Sequence, residues 1–143
     1  MTNSKNPIIK KATTKTYTYA IGRRKAAIAA IKLFKGKGES IINGLAIEKY
    51  FPLISDKLTH NKPFVTTGTV DKFYFEAKTS GGGKGGQLEA VTLAVARALK
   101  KLDEKFGPML RNVGLLTVDS RVRQRRMVGK GGKSRRGKQS PRR

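Results

Sequence analysis

The sequence contains no cysteine, no tryptophan and a single histidine, His60, among its 143 residues. Without cysteine the chain has no disulfide framework, no thiolate metal site and no thiol nucleophile. Residues 59–63, which include His60, are interpreted as a solvated loop, so a general base is not expected there. We therefore predict a protein that is not an enzyme and that has no metal, no cofactor and no small-molecule substrate.

Long hydrophobic runs are also missing. No apolar stretch approaches the roughly 18 residues that a membrane-spanning helix needs, and residues 1–16 lack the apolar centre of a signal peptide. We expect no membrane partner, and we expect a cytoplasmic protein rather than an organellar one.

Acidic residues are scarce and confined to the middle of the chain. There are nine, against 32 Lys and Arg, for a formal net charge of +23, and all nine lie between Glu39 and Asp119. Residues 39–119 are thus almost neutral, whereas residues 1–38 and 120–143 carry only positive charge. A charge of this sign and density is typical of proteins that bind nucleic acid.

Residues 120–143 form the most basic segment and offer little to a hydrophobic core. We predict a long extended tail that becomes ordered against phosphates, after a flexible basic arm at residues 1–15 and a compact domain at residues 16–119. The cations of the tail are Arg121, Arg123, Arg125, Arg126, Lys130, Lys133, Arg135, Arg136, Lys138, Arg142 and Arg143.

Alternating apolar residues predict strands near the start of the domain. In residues 16–22, Tyr17, Tyr19 and Ile21 alternate with other residues, as in a half-buried strand. Residues 26–34 are apolar in both alternating sets, which favours a strand buried on both faces, although their alanine content also permits a helix. Residues 35–38 favour a hairpin turn into a strand at residues 40–44.

Helical spacing appears later in the chain. Residues 45–58 predict two short helices separated at Pro52, and residues 69–79 predict a further strand. Residues 87–106 predict the longest helix, which Gly107 and Pro108 would end. Its apolar face consists of Leu88, Val91, Val95, Leu99 and Leu102.

Two short segments are candidates for contact with nucleic acid. The first is the cationic triplet Arg23, Arg24 and Lys25. The second is the glycine-rich stretch between the last predicted strand and the longest helix, which includes Gly82, Gly83, Lys84 and Gly85. Glycines allow a phosphate to approach the backbone, and the N-terminus of a helix attracts anions.

The glycine-rich stretch leaves three alternatives open: a site for a backbone phosphate, a structural strand-to-helix turn, or a nucleotide pocket. Its spacing matches the dinucleotide fingerprint, but the expected acid at the end of a second strand is missing. For the whole chain, the alternatives to an RNA-binding protein are an architectural DNA-binding protein and a small nucleotide-dependent enzyme.

Five motifs occur in the order and spacing of a known family. The sequence resembles the small-subunit ribosomal protein nine family, bacterial type, through Tyr19-Ala20-Ile21-Gly22-Arg23-Arg24-Lys25-x-Ala27, Ile42-Asn43-Gly44, Gly81-Gly82-Gly83-x-Gly85-Gly86-Gln87, Ala96-Arg97-Ala98-Leu99 and Gly114-Leu115-Leu116-Thr117-x-Asp119-x-Arg121.

The resemblance implies an α+β fold, with a four-stranded sheet and helices packed on one side, like the second domain of small-subunit ribosomal protein five. It implies a structural role in the head of the small ribosomal subunit, bound to the 3′ domain of the small-subunit RNA and to neighbouring head proteins. In that family the tail reaches the anticodon stem-loop of the peptidyl-site tRNA. By position, Arg142 and Arg143 would make that tRNA contact, and the other cations named above would bind ribosomal RNA.

Overall fold

The computed structural model describes residues 16–125, which form one sheet with helices packed on one of its faces. The elements, in chain order, are β1 (Tyr17–Arg24), β2 (Ala27–Lys35), β3 (Ile41–Ile42), β4 (Leu45–Ala46), α1 (Ile47–Tyr50), α2 (Ile54–Thr67), β5 (Phe73–Ser80), α3 (Gly83–Leu102) and α4 (Phe106–Asn112).

The strand order in the sheet is β1-β2-β5-β3-β4. Strand β2 pairs antiparallel with both β1 and β5, whereas β3 pairs parallel with β5. The predicted α+β class and the one-sided helical layer are confirmed. The prediction of four strands is wrong by one, because Leu45–Ala46, predicted as the start of a helix, forms the short strand β4 and pairs with β3.

Helix α3 packs against β1 and β2, and α2 and α4 pack on α3. Alanines at residues 90, 94 and 98 of α3 are fully buried, and their small side chains let the helix lie close to the sheet. The approach is closest at Gly22, where an added Cβ would lie 1.9 Å from the carbonyl oxygen of Ala90. Only glycine fits at that position.

The two long strands are half-buried, in a different way from the prediction. In β1 the buried residues are Ala20 and Gly22, while Tyr17, Tyr19 and Ile21 are exposed on the face without helices. In β2 only one alternating set, which includes Ala29 and Ile31, is buried. The prediction that β2 is buried on both faces is therefore wrong, because the helices between residues 16 and 125 cover one face only.

The chain does not form a hairpin after β2. Instead of pairing with β2, β3 lies on the far side of β5, so the predicted turn at residues 35–38 is wrong. That segment crosses over the ring of Tyr74, and a Cβ on Gly38 would lie 2.7 Å from the ring. The glycine thus allows a close crossing rather than a tight turn.

Residues 59–63 are helical rather than a loop. They lie within α2, which contains Pro63 and continues to Thr67. His60 is buried, its Nδ1 has no hydrogen-bond partner among residues 16–125, and burial lowers the pKa of its imidazole. A buried neutral imidazole belongs to the packing of α2, so the interpretation of His60 as solvated is wrong.

The longest helix is shifted toward the N-terminus relative to the prediction. It begins inside the glycine-rich stretch, at Gly83, and ends at Leu102, and a separate short helix, α4, contains Gly107 and Pro108. Strand β5, in contrast, begins at Phe73, four residues later than predicted. The apolar face predicted for the helix is buried from Leu88 to Leu99.

Two cations of α3 bind the free edge of the sheet. Arg97 donates to the carbonyl of Ile21 at 2.8 Å, and Lys101 donates to the carbonyl of Tyr19 at the same distance. Strand β1 is an edge strand, and unpaired edge carbonyls invite pairing with other chains. These side chains occupy two of those acceptors.

Replacement of Gly22 with alanine tests the close approach of β1 and α3. We expect Gly22→Ala to lower the free energy of unfolding by about 1–3 kcal/mol, because the new Cβ overlaps the Ala90 carbonyl and the helix must move. Urea unfolding of the full chain measures the change. The matched control is Gly85→Ala, which lies in α3 with open space around it and should stabilise the helix by up to about 1 kcal/mol. Equal effects of the two variants would contradict the packing argument.

Candidate nucleic-acid interface

The guanidinium group of Arg24 joins three parts of the chain. Its Nε donates to the carboxylate of Glu89 on α3, and its Nη1 lies 3.4 Å from Oδ1 of Asp119. The same Nη1 is 3.3 Å from the carbonyl oxygen of Asp119 and 3.4 Å from that of Arg121. We call Arg24, Glu89 and Asp119 the Arg24 junction, which fixes the start of the tail to the end of β1.

Asp119 holds the first turn of the tail from the other side. Its carboxylate accepts hydrogen bonds from the Nε, the Nη2 and the backbone N–H of Arg121, at 2.8–3.0 Å. These bonds, first the one from the side chain and then the one from the backbone, hold the pKa of Asp119 well below its usual range. The carboxylate therefore stays charged at a lower pH than an ordinary aspartate does.

The cationic triplet is divided between the two faces of β1. Arg23 is exposed on the open face of the sheet, Arg24 points to the helical side, and Lys25 is exposed in the turn to β2. Lys25 has a positive φ of 53°, as a tight two-residue turn requires. The side chains of Arg23 and Lys25 thus face solvent, whereas Arg24 already binds protein groups.

The glycine-rich stretch packs against that same turn. An added Cβ on Gly81 would lie 2.5 Å from the carbonyl oxygen of Ala26, and one on Gly82 would lie 2.6 Å from the backbone nitrogen of Ala27. Both glycines also have positive φ, at 71° and 69°. Gly81 and Gly82 are therefore structural, which supports the turn interpretation for this half of the stretch.

The other half of the stretch is open. Gly83, Lys84 and Gly85 begin α3, are exposed, and have free space where a Cβ would lie on either glycine. No side chain caps the helix there, so its first N–H groups face outward. These groups and Lys84 are what a phosphate would need.

A hydrogen-bond network holds the glycine-rich turn in place. Asn43 binds the backbone of Thr79 through both ends of its amide, at 2.9 and 3.1 Å. The Tyr50 hydroxyl donates to Gln87 at 2.6 Å, and Gln87 donates to the carbonyl of Gly81 at 3.0 Å. Hydrogen bonds thus connect the second and third sequence motifs through Thr79 and Tyr50.

Three predicted RNA-binding segments, far apart in sequence, converge at one end of the domain. The β1–β2 turn touches Gly81 and Gly82, while the Arg24 junction ties the same turn to the start of the tail. We call this region the basic end, and its exposed cations are Arg23, Lys25, Lys84, Arg121, Arg123 and Arg125. Gly83 and Gly85 are the open glycines of this region, whereas Gly82 has a structural role in its turn.

Sequence reasoning missed Lys62 at this end. A cavity of about 360 Å³ opens beside Arg24, and its lining includes Lys62, Thr59, Thr92 and Asp119. The sequence pattern places Lys62 in a loop, from which its position relative to Arg24 cannot be inferred. Only the helical position of residues 54–67 brings it to this cavity.

The tail is described only at its start. Residues 117–125 have no helix or strand, and Arg121, Arg123 and Arg125 are exposed. Arg126, Lys130, Lys133, Arg135, Arg136, Lys138, Arg142 and Arg143 lie outside the described residues, as does the arm at residues 1–15. Between residues 16 and 125, no helix is long and apolar enough to cross a membrane.

Neighbouring arginines provide a test of the Arg24 junction. We expect Arg24→Gln to loosen residues 119–125, because it removes the donors that hold Asp119 and the Arg121 carbonyl. Backbone amide relaxation by NMR should show lower order parameters there, and the free energy of unfolding should fall by about 1–2 kcal/mol. The control is Arg23→Gln, which removes the same charge from the open face of the strand. If both variants leave residues 119–125 equally ordered, the junction does not position the tail.

Comparison with known proteins gives a consistent result. A family model described as ribosomal protein S9/S16 matches residues 22–143. The chain is 40% identical over 113 residues to a small ribosomal subunit protein uS9 of Lawsonia intracellularis, covering 79% of this chain and 87% of the relative. Identity to the protein of the same name from Dehalococcoides mccartyi is 41% over 114 residues, with coverages of 80% and 86%. Identity to the protein of that name from Maridesulfovibrio salexigens is 37% over 119 residues, covering 83% of this chain and 92% of the relative.

Proposed function

The chain belongs to the ribosomal protein S9/S16 family and is a protein of the small ribosomal subunit. We propose that it binds ribosomal RNA through its basic end. In this proposal it is a structural constituent of the subunit head, bound to the 3′ domain of the RNA beside other head proteins. Its tail continues from the basic end to the peptidyl-site tRNA.

The observation that carries the proposal is the convergence at the basic end. A nearly neutral domain collects the exposed cations of two distant turns and the start of the tail in one region. Phosphate contacts dominate the affinity of proteins for RNA, and irregular folded RNA suits separate Arg and Lys contacts better than one groove-reading helix. The open N-terminus of α3 adds backbone donors to these side chains.

The proposed path of the tail depends on its starting point and its length. The Arg24 junction sets where the tail leaves the domain, and the 18 residues from Arg126 to Arg143 can span at most about 60 Å. Arginine forks along that length can bind phosphates in pairs. The cations between Arg121 and Lys138 would then hold the path along the RNA, and Arg142 and Arg143 would meet the tRNA.

Substitution at the basic end tests RNA binding. We expect Arg23→Gln with Lys25→Gln to weaken binding to the 3′ domain of the small-subunit RNA and to flatten its salt dependence. The log-log slope should fall by about 0.7–0.9 for each phosphate that the variant no longer neutralises. Filter binding over a range of salt concentrations measures both quantities.

The control pair, Lys35→Gln with Lys72→Gln, removes the same charge from exposed positions at the opposite end of β2 and β5. If the control pair weakens binding equally, charge alone is responsible and the basic end is not the site.

The tRNA contact is tested by shortening the tail. Removal of Arg142 and Arg143 should leave incorporation into the small subunit intact but weaken peptidyl-site tRNA binding by about tenfold or more, because it removes charge-assisted hydrogen bonds. Purified small subunits carrying each variant give the measurement. A charge-matched control, Lys35→Gln with Lys72→Gln, removes two exposed cations of the domain, keeps the whole tail and should leave tRNA affinity unchanged. Unchanged tRNA affinity in the shortened variant would contradict a tRNA role for the tip.

A further inference from the structure

The face of the sheet opposite the helices is uncovered by the described part of the chain. It carries the outward set of residues from β1, β2 and β5, and four of its large apolar side chains are strongly exposed. The exposed fractions are 49% for Tyr17, 45% for Tyr19, 39% for Ile21 and 42% for Ile28. Soluble domains rarely expose such a continuous group without a partner.

The strand register orders these side chains in rows across the sheet. Tyr17 pairs with Phe34 and Phe34 with Tyr74, with ring centroids 5.8 and 5.1 Å apart. In the next row Tyr19 lies opposite Lys32. The Lys32 ammonium also lies 5.2 Å from the centre of the Tyr17 ring. Aromatic rings and cations are therefore interleaved.

The charges on this face are mostly positive. Arg23, Lys32 and Lys78 point outward, against one acid, Glu76, which lies opposite Lys32 in the register. A groove of about 850 Å³ runs across the face beside Tyr19, Lys32 and Lys78. Its size is within the range of pockets that hold small organic ligands such as a nucleotide.

We propose that the open face of the sheet binds unpaired RNA bases, with Tyr19 as a stacking platform and Lys32 and Lys78 as phosphate contacts. This inference rests on the proposed RNA binding and adds a second surface to the basic end. Unpaired bases present flat faces that stack on exposed aromatic rings, and a sheet surface spaces such rings and cations regularly. Arg23, at the edge of this face, connects it to the basic end.

Charge disfavours two other occupants. Residues 1–15 carry four lysines and no acid, so that arm would meet three cations of the same sign. A second copy of the chain, docked through the same face, would also bring like charges together. An RNA backbone supplies the negative charge that both of these lack.

The test separates ring stacking from the general attraction of a chain with a charge of +23. The full-length protein is titrated with a single-stranded RNA of about eight nucleotides and with a duplex of the same length. Intrinsic tyrosine fluorescence reports binding, since the chain has no tryptophan and three of its four tyrosines lie on or border this face. Affinities are compared after extrapolation to high salt, where phosphate contacts contribute least.

We expect Tyr19→Ser to lower the extrapolated affinity for the single strand by about fivefold to a hundredfold, while Tyr19→Phe, which keeps the ring, retains it. The salt slope should be unchanged in both. Lys78→Gln should instead reduce the slope by about 0.7. The control, Arg111→Gln, removes an exposed cation of α4 on the helical side and should not change quenching. Circular dichroism confirms that each variant is folded.

Three outcomes would overturn the inference. The first is equal extrapolated affinity of Tyr19→Ser and the parent protein for the single strand. The second is a concentration-dependent dimer, seen by sedimentation, that Tyr19→Ser disrupts. The third is loss of a neighbouring protein from reconstituted subunits with RNA binding intact, which would assign the face to that protein. These results leave the proposal for the basic end standing, because the Arg23 and Lys25 experiment that tests it changes none of Tyr19, Lys32 and Lys78.

Discussion

The close contact between Gly22 and Ala90 determines the arrangement of the rest of the domain. With no side chain on Gly22, β1 and α3 approach so closely that no other residue fits between them. That proximity lets Arg97 and Lys101 reach the edge carbonyls of β1, and it lets Arg24 reach Glu89 near the start of the helix. The position of the tail's first residues follows, because Asp119 binds the same guanidinium group.

Because successive side chains of a strand point to opposite faces, Arg23 and Arg24 have different roles. Arg23 and Arg24 are neighbours in sequence, but their side chains leave β1 on opposite faces. Arg24 is only 17% exposed and binds Glu89 of the helix and Asp119 directly before the tail, whereas Arg23 remains exposed to solvent. A cationic triplet that looks uniform in the sequence thus contains a positioning residue and two candidates for RNA contact.

The sequence predicted what depends on local pattern and missed what depends on which surfaces meet. Alternation identified β1, a continuous apolar run identified β2, and spacing every three or four residues identified α3, since these patterns come from local backbone geometry. The buried face of β1 could not be inferred, because its outward residues Tyr17, Tyr19 and Ile21 are larger and more apolar than its inward residues Ala20 and Gly22. Hydrophobicity alone selects the wrong face where close helix packing demands small side chains and where the open face carries exposed rings.

The errors at residues 35–38 and at His60 have a similar origin. Glycine and lysine suggested a hairpin, but the chain passes Tyr74 and reaches β5 from the other side, a choice set by long-range pairing. His60 and Pro63 suggested a loop, but both lie buried inside α2. The packing of the helix compensates for the backbone hydrogen bond that Pro63 cannot make. For the site, sequence identified the three segments of the basic end, whereas their convergence and the place of Lys62 required the fold.

Beyond Asp119 the chain contains no acidic side chain that could pair with its cations. Asp119 is the last acid in the sequence, and its carboxylate already binds Arg24 and Arg121. Its folded pKa is lowered, so its contribution to stability is complete above the ordinary aspartate range and is lost only as the pH falls through the lowered value. Asp119 therefore stays charged at neutral pH, at which RNA phosphates are charged as well. Residues 120–143 contain no acid of their own, so most of the counter-charge for their cations must come from outside the tail. An intramolecular ion pair thus fixes the start of a segment whose charge is suited to RNA phosphates.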